Sequence, residues 1–152
     1  MKHPSLFRLL AALLALSLGL SACGGRESEA LTEESYRQAA ADLAESLAAV
    51  QQGVTGLDLS DPEQARELLE GLREPFASFS SLTPPEDLAQ AHASFQSGCE
   101  AMAAYLEQME SLLEETDVDK IQSVSQEMLS TLQTAIADLS EGFRLLEEAE
   151  EG

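Results

Sequence analysis

Apolar residues recur along most of this chain in alternating steps of three and four, the spacing of one helix face. From Thr32 onward, Tyr36, Ala40, Leu43, Leu47, Val50, Val54 and Leu57 form one such row, and the segment "TGLDLSDP" ends it. A second row, Ala65, Leu69, Leu72, Phe76 and Phe79, opens at Asp61 as cap with Pro62 in the first turn, and Ser60 with Glu63 offers a capping box. Pro75 cannot donate to the carbonyl of Gly71, but the apolar phase continues through Phe76 and Phe79, so a kink is expected there rather than an end. In "LTPPED", Thr83 is read as the cap, Pro84 as the first helical position and Glu86 as the closing member of Thr-x-x-Glu. The third row is the most regular: Leu88, His92, Phe95, Cys99, Met102, Leu106, Met109 and Leu113, running to about Glu115. The fourth follows a Thr116 or Asp117 cap with Ile121, Val124, Met128, Leu132, Ala135, Leu139, Phe143 and Leu146. The acids of "LLEEAEEG" oppose the helix dipole, so the last turn is expected to fray. No segment alternates with period two. The pattern predicts an all-α fold, an antiparallel up-down-up-down four-helix bundle over residues 32–150, with the longer hairpin formed by its third and fourth helices.

The first 22 residues follow a different pattern. Lys2, His3 and Arg8 precede "LLAALLALSLGL", twelve residues without a charge, too short a run to span a bilayer and apolar on every face. A basic start, a short apolar run and then small residues read as a signal peptide. Leu20-Ser21-Ala22-Cys23 resembles the lipobox of bacterial lipoproteins. That resemblance implies diacylglyceryl transfer to the Cys23 thiol, cleavage before it, and an anchor on the outer side of the cytoplasmic membrane, or on an outer membrane where one exists. Two or more acyl chains hold a protein stably where one is marginal. Residues 23–31, with "GGRESEA", then form the lipidated Cys and a flexible tether. The segment "LREPFASFSSLTPPEDLAQAHASF" is similar to small helical surface lipoproteins of bacteria whose function is unknown, and the similarity transfers no functional residue.

Charge narrows the partners. The chain carries 8 basic and 28 acidic residues, net −20; beginning at Cys23 it would carry −22. Such a surface repels nucleic acid and bare anionic membrane and favours basic partners or cations, or simply keeps a helical domain soluble. The membrane is therefore expected as a partner only through the lipid anchor, with an envelope protein or a small ligand as the possible second partner and no nucleic acid.

Folding the rows into a bundle places Tyr36, Phe76, Phe79, His92, Phe95 and Phe143 at one end, with Phe143 opposite residues 89–92 and the tether beside them, facing the membrane. Two readings of this end stand: an aromatic core layer around a satisfied histidine, or a ligand pocket beside a kinked helix with His92 as its titratable group. His92 and Cys99 are seven residues apart, about 10.5 Å of rise, too far to share one metal from one helix. With Cys23 acylated, Cys99 is a core thiol; a Cys23–Cys99 disulfide is the alternative. Met102, Met109 and Met128 with one His raise haem ligation, but no CxxCH is present and Met at heptad spacing is ordinary packing. The sequence holds no GxSxG, phosphate loop, HExxH, GxGxxG or EF-hand loop. The expectation is an extracytoplasmic, membrane-anchored, non-catalytic binding or interaction module with no resident cofactor or metal. A haem, metal or small-ligand carrier using the aromatic-His end, or a purely structural envelope protein, are the alternatives.

Overall fold

The computed structural model describes residues 29–151. The lipobox, Cys23 and most of the expected tether lie outside them. The described residues are all-α: α1 (Glu33–Thr55), α2 (Pro62–Ser80), a short 3-10 turn (Glu86–Leu88), α3 (Ala89–Ser111) and α4 (Val118–Glu151), with no strand among them.

Caps fix three of the four starts. The Thr32 hydroxyl accepts from the Ser35 amide at 3.2 Å, and Glu33 and Glu34 stand in the first turn, where the dipole favours acids. Asp61 caps α2 by accepting from the Gln64 amide at 3.1 Å; Ser60 instead donates its hydroxyl and its amide to Asp58. Asp117 accepts from the amides of Asp119 and Lys120 and so starts α4. The third start departs from the sequence reading. Pro84 is not the first helical residue, because it precedes Pro85, and a residue before proline is pushed out of the helical region. Pro85 is itself extended (φ −56°, ψ 150°), and the chain turns helical only at Glu86. At the other end α3 stops at Ser111, one turn short of Glu115, and residues 112–117 make the connection.

α2 runs without interruption through Pro75, and Phe76 and Phe79 stay in phase and buried. α4 has 34 residues, about 51 Å, and remains helical to Glu151. Its last turn holds no basic residue, but Arg37 of α1 supplies one. The guanidinium donates to the Leu146 carbonyl at 3.1 Å and pairs with Glu150 at 3.5 Å and Glu33 at 2.9 Å. A cation from a neighbouring helix thus offsets the acids that the sequence places at this terminus.

α3 is the central helix, buried along Ala91, His92, Phe95, Gly98, Cys99, Met102, Tyr105 and Leu106. It meets α2 through Arg66, which pairs with Glu110 at 3.2 Å and Glu114 at 2.8 Å. It meets α4 most closely of all, because glycines replace side chains at the contact. A Cβ on Gly98 would lie 2.6 Å from Leu139 Cγ and 2.8 Å from the Leu139 amide nitrogen. A Cβ on Gly142 would lie 2.6–2.8 Å from three atoms of the Phe95 ring. α1 and α4, by contrast, touch little along their length.

Candidate functional site

The aromatic-His residues do converge. Tyr36 enters from α1, Phe76 and Phe79 from α2, His92 and Phe95 from α3 and Phe143 from α4. Ring centroids stand 5.6 Å apart for Tyr36–Phe79, 5.7 Å for Tyr36–His92, 5.3 Å for Phe79–Phe95 and 4.8 Å for Phe95–Phe143. Most of these are tilted or edge-on, the arrangements that aromatic quadrupoles favour. Phe76 is equally buried but stands outside this set of ring contacts. Phe143 lies against Phe95 rather than residues 89–92, in the register that also sets Gly98 against Leu139 and Gly142 against Phe95.

Tyr36, Phe76 and Phe95 have no exposed surface, and His92 keeps 8%. The Tyr36 hydroxyl lies 2.9 Å from His92 Nδ1. Desolvation lowers the His92 pKa below its usual 6.5, so the neutral ring is favoured at pH 7. With the phenol donating, the proton of the neutral imidazole sits on Nε2. Burial likewise raises the Tyr36 phenol. Cys99, one residue row further along α3, is a buried free thiol whose pKa is pushed up to about 12 by burial and by Glu100. It is a protonated, inert group at neutral pH. Among the described residues no group of three or more His, Cys, Asp or Glu side chains is placed to hold a metal ion.

An opening lined mainly by apolar side chains lies elsewhere. Where α1 and α4 stand apart, a groove of about 490 Å³ runs between them. Leu47, Val50 and Val54 of α1 form one wall, and Leu132, Ile136, Leu139 and Phe143 of α4 form the other. Met102 and Tyr105 of α3 are the floor, and Gln51, Thr55 and Ser140 are the polar members of the lining. The groove is open to solvent on one side, since Ile136 is 53% exposed, and Leu129, one helical repeat before it, is 64% exposed. Of the six aromatic-end residues only Phe143 reaches the lining.

Periodicity alone did not reveal this groove, because each of its apolar residues fits a core row equally well. Two signals were present. No charged residue occurs between Glu45 and Asp58 or between Glu127 and Asp138, and these stretches hold the α1 wall and the Leu132–Ile136 part of the α4 wall. Tyr105 continues a second row on α3, Ala91, Phe95, Gly98, Met102 and Tyr105, in steps of four and three, which marks a helix buried on more than one face.

Comparison with known proteins found no family model that matches the chain, and no curated protein or solved structure that matches it. Among the described residues no helix is long and apolar enough to cross a membrane.

Proposed function

We propose that this chain is a non-catalytic binding module, held outside the cytoplasmic membrane by lipid on Cys23, with the α1–α4 groove as its binding surface. The observation that carries the proposal is the groove itself. About 490 Å³ of mostly apolar space stays open along the α1–α4 seam, and that volume is typical of small-molecule sites. The helices are proposed to run up-down-up-down. Tyr36 against Phe79, Arg66 against Glu110, Gly98 against Leu139 and Arg37 against Leu146 are the pairs that support this order. In it, α1 and α4 are sequence-distant neighbours with no short turn to draw them together, which is why their seam is the one left open. The lipobox resemblance supports the anchor.

Native mass spectrometry of the full chain in detergent-free polymer discs tests the binding role. A co-purified adduct is expected on the wild-type chain and is expected to be lost from Ile136→Gln. A bare mass in both refutes the role. Palmitate labelling and membrane sedimentation test the anchor; both are expected to vanish in Cys23→Ser, and labelling retained there refutes it.

A further inference from the structure

Resting on the groove as the binding surface, we infer that its ligand is an uncharged amphiphile. A single alkyl or acyl chain lies along the α1–α4 seam, and a neutral, oxygen-bearing head meets the Tyr105 hydroxyl. Three independent observations lead here.

The first is Tyr105. It is 9% exposed and lines the floor, yet among the described residues its hydroxyl has no hydrogen-bond partner. The hydroxyl is not sealed from solvent, since among the described residues Gln108 Oε1 is the buried side-chain polar atom left without a partner. A ligand oxygen in the groove would take the place of water on the phenol.

The second is charge. The lining contains no ionisable group apart from that phenol. All five basic residues among those described, Arg37, Arg66, Arg73, Lys120 and Arg144, are already paired with carboxylates. A carboxylate or phosphate head would enter a chain of net −20 with no free cation among the described residues to receive it. A cationic head would find no carboxylate in the lining.

The third is size. The α4 wall from Leu132 to Phe143 is about 16 Å long, suited to an extended hydrocarbon chain. A second copy of the chain would bring another −20 to the same face.

The test uses the full chain in phosphatidylcholine nanodiscs with two photoreactive probes of equal chain length, a diazirine-bearing monoacylglycerol and the matching free fatty acid, and maps adducts by mass spectrometry. The monoacylglycerol is expected to label peptides covering residues 47–55 and 132–143, competed by glycerol monolaurate. Tyr105→Phe, which keeps the ring, is expected to weaken that competition about three- to tenfold, the range of one neutral hydrogen bond. Ile136→Gln, at an exposed position, is expected to abolish labelling with the circular dichroism spectrum unchanged. Equal labelling by the fatty acid overturns the uncharged head while leaving the groove a binding surface. Unchanged competition in Tyr105→Phe overturns the role of the phenol. Absence of groove labelling by either probe overturns both this inference and the binding role.

Discussion

Replacing glycine by alanine at three positions of this protein is expected to give opposite signs from one chemical change. In a helix interior the substitution gains about 1 kcal/mol of propensity wherever the methyl group has room. Gly71 on α2 has that room: nothing lies within 4 Å of where its Cβ would stand. Gly71→Ala is therefore expected to stabilise by about 0.5–1 kcal/mol. At Gly98 the new Cβ meets Leu139 Cγ at 2.6 Å and the Leu139 amide nitrogen at 2.8 Å, where ordinary contact begins at 3.4 Å. Relief requires the two helices to part by about 0.8 Å, and a gap of that size forfeits a quarter to a half of the dispersion well for the contacts it opens. At Gly142 the obstacle is the Phe95 ring, which is fully buried and held between Phe79 and Phe143. Overpacking of this kind costs about 1–3 kcal/mol. The propensity gain is common to all three sites and cancels on comparison. Gly98→Ala and Gly142→Ala should therefore each fall about 1–3 kcal/mol below Gly71→Ala in stability. Urea unfolding followed by far-ultraviolet circular dichroism, with a shared m-value, reads this difference directly. If Gly98→Ala proves as stabilising as Gly71→Ala, the close α3–α4 contact is wrong.

Three further outcomes follow from titratable groups whose pKa values are shifted. His92 has a lowered pKa when folded, so between that value and 6.5 the unfolded chain binds the additional proton. Stability is then full above about pH 7 and declines as pH falls through 6.5, by at most about 1.4 kcal/mol per pH unit. His92→Gln should remove that slope in pH-dependent urea titrations, and an unchanged slope would show that other groups produce it. Glu115, held at about 2 by Lys120 and the amides of Asp117 and Thr116, adds stability that is present above its usual 4.5 and lost at lower pH, outside the histidine window. Cys99, with its thiol raised to about 12 and buried, should resist iodoacetamide at pH 8 in the folded protein and react on unfolding in urea; rapid labelling without denaturant would contradict its placement.

What the sequence could reveal was set by the range of the physics involved. Helix faces are local, and Leu88, His92, Phe95, Cys99, Met102 and Leu106 all fall inward as their spacing requires. Caps are local too, and Asp61 and Asp117 act where their side chains predict. The start of α3 failed because two adjacent prolines act on each other: Pro85 denies Pro84 the helical conformation that a single proline would have allowed. The groove was hidden for another reason. Spacing tells which residues turn inward but not whether the facing helices touch, and α1 and α4 lie farthest apart in the chain. The aromatic end was readable because its residues are rare and few arrangements bring them together.

One small feature governs how the domain would respond to being pulled. The Leu31 amide donates to the Thr83 carbonyl at 3.0 Å, and the Leu31 side chain packs on the core. The chain entering α1 is thereby stitched to the α2–α3 turn two residues before the helix begins. Tension arriving along the N-terminal segment does not peel α1 from its first turn. It is divided between α1, whose Leu47, Val50 and Val54 wall the groove, and the turn beside the prolines, so the mechanical load enters at the aromatic end and is shared before it reaches the groove.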